Sequence, residues 1–370
     1  MIEKIKELLV NFNQIGEVDK VRELGGGHIN STFYVKLNDN GKEKEFVIQR
    51  INHNVFTNPE ELMENIASVT NHIKKKIRSQ ESDSSRAVIN FCKSIDGKHS
   101  YQDENGDFWR MYKYISNSKT YNSTNSLKVL NETGKAFGEF QLLLDDFPIN
   151  ELHITIPNFH NTKNRYKQFY KALKEDPVGR VNSVKTLIND YIALENLATK
   201  MYDMHENGKL KLRVTHNDTK CNNVLFDKTT NKKLCVIDLD TVMPGLVGFD
   251  FGDAIRFGAN SSAEDEHDLT KVKIDLDKFE AFTKGFLSKL SKTLTPKEMS
   301  TLSLGAITMT IECGLRFLTD YIDGDNYFKV NYPEHNMVRA KCQLALAQDM
   351  IKNYKKMQEI VHNCCKEYNL

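Results

Sequence analysis

Short stretches in which apolar and polar residues alternate fill the first third of the chain, and longer stretches with apolar residues at helical spacing fill most of the remainder. GHINSTFYVKL (27–37), EFVIQRI (45–51), AVINFCK (87–93) and WRMYKYI (109–115) are rich in β-branched and aromatic residues and read as strands. Asp96-Gly97 and Asn105-Gly106 sit between them as hairpin-type turn signals. Between the second and third runs, Leu62, Ile66, Val69 and Ile73 recur at the spacing of one helix face across 58–76. The pattern predicts a small antiparallel sheet with one inserted helix.

Beyond residue 116 the period changes to that of helices. One is predicted over 127–144 and a longer one over 184–207, where Val184, Leu187, Tyr191, Leu194, Ala198 and Met201 form a stripe and Gly208 marks the stop. Another starts at Thr295, with Pro296 at the first helical position and Glu298 completing a capping box. Between these helices, KLRVTH, NVLFD and LCVIDLD (211–240) are three short apolar runs separated by polar turns, predicted as small strands. The expected division is an N-terminal lobe over 1–116 and a larger C-terminal lobe over 117–370.

Composition narrows the function classes. The 370 residues carry 51 Lys plus Arg against 50 Asp plus Glu, so no net field points to nucleic acid or an anionic membrane. No apolar run approaches the ~20 residues that span a bilayer, and the N-terminal MIEKIKELLVNF is too mixed for a signal-peptide core. The seven cysteines show no CxxC pair and no zinc-type spacing, which fits free thiols in a reducing compartment. The expectation is a cytoplasmic protein acting on small molecules, and nothing in the sequence calls for a second subunit.

The richest chemistry lies in VTHNDTKCNNVLFD (214–227). His216-x-Asp218-x4-Asn223 has the spacing of a phosphoryl-transfer catalytic loop, in which the Asp accepts the acceptor hydroxyl's proton and the Asn ligates magnesium. Asp and Asn alone are ordinary turn residues. Fifteen residues beyond Asn223, however, Asp238 ends an apolar run and supplies the anionic oxygen that a hard, octahedral Mg²⁺ needs beside the neutral amide oxygen of Asn223. Lys220 is placed to stabilise γ-phosphate charge. His216 reads as packing beneath the loop, and Asp250 and Asp253 as braces whose oxygens suit backbone amides.

The nucleotide end is predicted in the first lobe. LGGGHINSTF (24–33) is a glycine-rich turn whose amides can approach phosphates closely, giving Gly26, Gly27, His28, Asn30 and Ser31 as candidates. It is not a Walker A loop, because no Gly-Lys-Ser/Thr follows. Strand alternation pairs Ile48 with Arg50 on one face, the first for the adenine and the second for the α- and β-phosphates. A lysine is the usual residue there, and either Arg50 or Gln49 stands in its place. Glu64, ahead of Glu60 and Glu61, is the expected partner on the following helix, although a solvated helix face would use the same residues. The run 109–115, with Met111 and Lys113, is the expected adenine-side strand or else plain core.

These strings make a wider likeness visible. THNDTKCNNVLFD, CVIDLDTVMPG and GFDFGD resemble the aminoglycoside phosphotransferase and choline kinase superfamily. GGGHINSTF, IQRINHNVFTNPEELMENI, IPNFHNT, DLDTVMPGLVGFDFGDAIRFGAN and RFLTDYIDGDNYFKV are most similar to N-acetylhexosamine 1-kinases. The resemblance implies an α+β, protein-kinase-like bilobal fold with a small antiparallel-sheet N-lobe and a larger, mainly helical C-lobe. It implies transfer of the ATP γ-phosphate, with Mg²⁺, to the anomeric hydroxyl of N-acetylglucosamine or N-acetylgalactosamine. By the same resemblance Asp218 is the base, Asn223 and Asp238 hold the metal, and Ile29, Arg316 and Tyr327 contact the sugar along with Asp218. Read from the residues alone, Arg316 could instead pair with Asp320 one turn on. Two other readings stay open: a kinase of a different hydroxyl acceptor, such as an amino alcohol or aminoglycoside, and a silent kinase-like nucleotide-binding module.

Overall fold

The computed structural model describes residues 2–25, 30–79 and 85–368. They form two compact units. The first comprises residues 1–119, 146–157 and 225–243, and the second 120–145, 158–224 and 244–370.

The first unit is built on a five-stranded antiparallel sheet in the order β1-β2-β3-β5-β4. Its strands are β1 (Glu17–Glu23), β2 (Ser31–Asp39), β3 (Lys42–Ile51), β4 (Tyr101–Gln102) and β5 (Phe108–Lys113). The register sets Ile48 opposite Phe33 and Met111, and Gln49 opposite Thr32 and Arg110. One sheet face is closed by helix α1 (Ile2–Asn11), whose Ile5 and Leu8 pack with Phe12 against Val35, Ile48 and Met111. Helix α2 (Pro59–Ser79) follows β3 as expected. A smaller sheet of β6 (Ser118–Lys119), β8 (Val224–Asp227) and β9 (Lys233–Val236) completes the unit.

Two features depart from the sequence reading. Strand β1 and helix α1 were not anticipated, because EVDKVRE is mostly charged and its strand is held by edge pairing with β2 rather than by burial. AVINFCK forms no strand; it makes one isolated bridge, Phe91 to Tyr112, beside β5. Its β-favouring residues line a segment without a second partner, and propensity yields to that context.

The second unit is mainly helical: α3 (Leu127–Leu143), α4 (Thr162–Glu175), α5 (Lys185–Ala193), α6 (Glu195–Ala198), α7 (Lys200–Glu206), α8 (Val247–Gly258), α9 (Leu276–Leu290), α10 (Pro296–Ser300), α11 (Leu302–Asp323), α12 (His335–Lys352) and α13 (Tyr354–Glu367). A short strand, β7 (Arg213–Thr215), leads into the 216–223 loop. The single helix predicted over 184–207 is three, broken at Leu194 and Thr199; the Thr199 hydroxyl bonds to the Glu195 carbonyl at 3.0 Å. The capping box at Thr295 and Glu298 forms as read. No helix among the described residues is long and apolar enough to cross a membrane.

Two contacts fix the helices that carry the loop. Helix α8 lies against α11 through glycines: a Cβ on Gly252 would collide with the Gly305 carbonyl oxygen, and one on Gly305 with that of Gly248. Arg213, at the entry to the loop, is buried and forks onto Glu298, with Nε to Oε1 at 2.6 Å and Nη2 to Oε2 at 3.0 Å, and also meets Asp145. Burial would raise the Glu298 carboxyl, but the Arg213 guanidinium and the capping amide hold it below the usual glutamate range.

Two outcomes follow from these contacts. Gly252→Ala should destabilise the chain by about 1–3 kcal/mol through overpacking against backbone, measured by urea denaturation. Glu298→Gln keeps the capping box but leaves Asp145 as the remaining charge partner of Arg213, and should cost about 1.5–3 kcal/mol at pH 7. Because the folded carboxyl titrates below its unfolded value of about 4.3, the wild-type advantage is present above that pH and is lost as pH falls through the depressed folded value. The two denaturation curves should therefore converge in acid.

Candidate active site

The loop after β7 is held by carboxylates of α8. The backbone amides of His216 and Asn217 donate to Asp250 Oδ2 and Oδ1 at 2.9 and 2.8 Å, and Gln141 adds a third donor at 2.6 Å. The Thr219 amide donates to Asp253 Oδ2 at 3.0 Å, and the Thr219 hydroxyl donates to the Asp250 carbonyl at 2.5 Å. Asp253 is itself forked by Arg256, at 3.1 and 2.9 Å. Burial pushes the Asp250 carboxyl up against the pull of its two backbone donors. Asp250 and Asp253 are braces, as the sequence suggested. Their reach to successive backbone amides lets Asn217 sit in the left-handed region, at φ 63°, a conformation Asn tolerates better than most residues. Gly245 lies against this bend, where a Cβ would collide with the Thr215 hydroxyl.

His216 is fully buried, edge-on to Phe137 and Phe140, and its Nδ1 accepts the Asp218 amide at 3.3 Å. It supports the loop from beneath. The Asp218 carboxylate then emerges between two neighbours: Lys220 Nζ lies 2.8 Å from Oδ1, and Asn223 Nδ2 donates at 2.9 Å to both Oδ2 and the Asp218 carbonyl. Burial alone would raise the Asp218 carboxyl, but Lys220 and these donors hold it below the ordinary aspartate range. Lys220 is correspondingly raised, with Asp218 and Asp253 outweighing burial.

The amide of Asn223 spends its NH₂ side within the loop, and Oδ1 takes no part in those bonds. Asp238 belongs to the first unit, at the end of β9, with an exposed side chain and a left-handed backbone at φ 59°, ψ 59°. An amide oxygen and a carboxylate are donors that suit a hard cation. Among the described residues no three His, Cys, Asp or Glu side chains cluster as a self-sufficient metal cage.

Asp240, two residues on, has a different task. It is buried and takes both Nη atoms of Arg110, while Arg110 Nε donates to Gln49 Oε1 at 2.9 Å. Asn30 Nδ2 donates to Asp240 Oδ2 at 2.6 Å, and its Oδ1 accepts the Asn52 amide at 2.9 Å. This network ties the residue following the glycine-rich turn, the centre of the sheet and the Asp238 turn into one piece. Burial opposes the Arg110 charge, but Asp240 and Asp238 hold it firmly protonated.

That network corrects the reading of β3. Ile48 and Arg50 do share a face, but it is the face closed by α1: Ile48 and Met111 are fully buried in that core. Arg50 reaches the rim, 3.3 Å from Asp107. Gln49, on the opposite face, meets Arg110, so a buried arginine one strand over stands where a β3 lysine was expected. The sequence shows an arginine at an alternate position of an apolar run, but its place across from Gln49 comes from the strand register. Glu64 does not turn inward either. It lies on the exposed helix face 2.8 Å from His153, while Asn65 points in and bonds the His153 and Val242 carbonyls.

Ser31 opens β2 opposite Arg50. Lys113 is exposed, with its amide bonded to the Asn90 carbonyl at 2.9 Å. Gly26, Gly27, His28 and Ile29 lie outside the described residues.

In the second unit Arg316 and Tyr327 meet, Nη2 to the hydroxyl at 3.4 Å, and line a groove of about 380 Å³ between α4 and α11. Arg316 does not pair with Asp320, whose carboxylate accepts the amides of Tyr327 and Phe328 and the Asn336 side chain. Its guanidinium lies 5.3 to 5.7 Å from the centres of the Phe159, Tyr327 and Phe328 rings, within cation–π range. Next to Phe159, the His160 ring bridges Glu312, at 2.8 Å, and the carbonyl of Asn217, at 3.1 Å. The groove wall is thus bonded to the residue immediately before Asp218.

Comparison with solved structures places this architecture among small-molecule kinases. The chain superposes with a TM-score of 0.59 on a microcompartment-associated aminopropanol kinase, at 12% identity over 97% of this chain and 99% of that one. Choline kinase from Cryptosporidium parvum gives 0.59, at 14% identity over 96% and 97%. Aminoglycoside 2′-phosphotransferase-IIIa in its GDP complex gives 0.54, at 12% identity over 95% and 99%. At these identities the likeness establishes the fold, an α+β, protein-kinase-like architecture. The phosphotransferase enzyme family model matches residues 20–279, a span containing the braced loop, Asn223, Asp238 and Asp240, and the chain belongs to that family.

Proposed function

We propose that this protein is an ATP- and Mg²⁺-dependent small-molecule kinase that phosphorylates the anomeric hydroxyl of an N-acetylhexosamine. The observation that carries the kinase reading is the loop in which Asp218, Lys220 and Asn223 form one hydrogen-bonded cluster, suspended from Asp250 and Asp253. Phosphoryl transfer asks the protein mainly for positioning and charge, and this loop is positioned at its backbone. Support for nucleotide binding comes from a solved structure of similar fold: aminoglycoside 2′-phosphotransferase-IIIa was crystallised with GDP.

In this reading Asp218 orients the acceptor hydroxyl and takes its proton. A carboxylate held as the anion by Lys220 is a weak base, and an anomeric hydroxyl, more acidic than an ordinary alcohol, is a matched proton donor. Asn223 and Asp238 would hold Mg²⁺, which neutralises charge on the transferring phosphoryl group when bound. Lys220, already on Asp218, is available to the γ-phosphate. Asn30 and Ser31 lie beside the glycine-rich turn, and the turn's Gly26, Gly27 and His28 remain candidates for the phosphates. Arg316 and Tyr327, with Ile29, are proposed to hold the sugar. An amino-alcohol acceptor, as in the choline and aminopropanol kinases, is disfavoured by the groove's arginines, which repel an ammonium group.

The test is ³¹P NMR of reactions containing ATP, Mg²⁺ and, separately, N-acetylglucosamine, N-acetylgalactosamine, choline and kanamycin. A sugar 1-phosphate resonance with either hexosamine is expected. Phosphorylation of choline or kanamycin with both hexosamines inert would overturn the acceptor assignment. Asp218→Asn should lower kcat by about 10²–10⁴ with folding intact by circular dichroism; an unchanged kcat would eliminate Asp218 as the base. Asp238→Asn should raise the Mg²⁺ concentration needed for half-maximal rate by tenfold or more, read by titrating metal at fixed ATP.

A further inference from the structure

The groove between α4 and α11 holds more positive charge than a neutral sugar requires. Arg165, one turn into α4, faces the same cavity as Arg316. Neither has an ion pair within 4 Å among the described residues. Arg165 Nη1 donates to the Gln168 side-chain oxygen at 3.1 Å and Nη2 to the Phe159 carbonyl at 2.6 Å, so its partners are neutral. Its Nε is buried with no hydrogen-bond partner at all. A buried guanidinium donor left unmade is costly, and an arginine beside another arginine is doubly so. Burial first, and then the Arg316 charge, disfavours the Arg165 cation, with buried Glu312 giving only partial relief.

The acids in the groove do not answer this charge. Asp320 is committed to two backbone amides and Asn336. Asp323 and Glu175 lie further along the same helices, about 10 and 15 Å from Arg316 and Arg165 at 1.5 Å per residue. There the neighbouring carboxylates and burial raise Asp323. Lys171 also lines that end, 3.8 Å from Glu175, so the groove carries two guanidiniums at one end and, at the other, Asp323 and Glu175 sharing a single lysine. Its volume falls in the range of about 300–1,000 Å³ typical of small-molecule pockets.

We propose that Arg165 and Arg316 form an oxyanion subsite that takes the phosphate or carboxylate of a small, hydroxyl-rich organic anion, with its hydroxyl groups directed toward the acidic end. The guanidinium forks supply planar, paired donors to an oxyanion, and the ligand supplies the negative charge the pair lacks. Competition between such an anion and the neutral acceptor rests on the acceptor assignment above; the binding itself does not.

The experiment uses the full-length protein with saturating ADP and Mg²⁺, so that free anions do not report on the nucleotide site. Isothermal titration at low ionic strength compares glucose 6-phosphate, gluconate, inorganic phosphate and neutral glucose. Glucose 6-phosphate or gluconate should bind at least tenfold more tightly than glucose, and Arg165→Gln should weaken the anion at least tenfold with folding intact by circular dichroism. Arg165→Lys, which keeps the charge and loses the fork, should fall between and guards against simple misfolding. Inorganic phosphate binding with the same Arg165 dependence assigns the subsite to the oxyanion alone, whereas binding of the esters or sugar acids only assigns it to the whole molecule. Equal affinity for anion and glucose, or anion binding unchanged in Arg165→Gln, overturns the proposal. Arg165-dependent anion binding in a protein that phosphorylates no hexosamine would sink the acceptor assignment and leave the subsite standing. Hexosamine turnover without anion binding would do the reverse.

Discussion

Backbone amides of residues 216, 217 and 219 end on two carboxylates of one helix, and the candidate chemistry of the second unit depends on that attachment. The segment that presents Asp218 does not rest on its own turn geometry alone, because Asn217 before it is left-handed. Asp250 and Asp253 supply charge-assisted bonds to the amides, of the kind that count roughly twice a neutral hydrogen bond. These carboxylates are useful only if their helix is itself fixed. Glycine-to-glycine contact brings α8 directly onto α11, and Arg256 holds Asp253 from the other side. Backbone contact, ion pair and amide bond therefore act in series on one peptide segment.

The first unit solves a parallel problem with a buried arginine. Arg110 gives its guanidinium to Asp240 and Gln49, and Asn30 joins Asp240 to the strand that leaves the glycine-rich turn. A buried ion pair is weak evidence for net stability, since desolvation offsets most of the Coulombic gain. Its value here is geometric: Asp238 stands two residues away with an exposed carboxylate, and the turn that presents it has a fixed anchor.

The groove lined by Arg316 and Tyr327 joins this scheme through His160, which links Glu312 to the Asn217 carbonyl. Changes in the groove wall are thereby felt at the residue before Asp218. Along the groove the charge is uneven, with Arg165 and Arg316 together at one end.

How much was legible in the sequence differs by element. The spacing of Asp218, Asn223 and Asp238, the helix at 59–79 and the capping box at Thr295 are local patterns; Asp250 and Asp253 read as braces from their residue type, but the amides they take lie 33 and 34 residues away and only the fold names them. The identity of the sheet face toward Asp240 was not legible. Alternation shows that Ile48 and Arg50 share a side, but which side α1 covers is a matter of packing between segments far apart in the chain, and that packing turned Gln49 and Arg110 inward. Likewise Glu64 and Asn65 are neighbours on one helix, and only tertiary contact with His153 and Val242 decided that the amide is buried and the carboxylate exposed. Sequence set which chemical groups are present and their local conformations. The partner of each group, and so its charge state and its use, was decided by the long-range contacts that burial imposes.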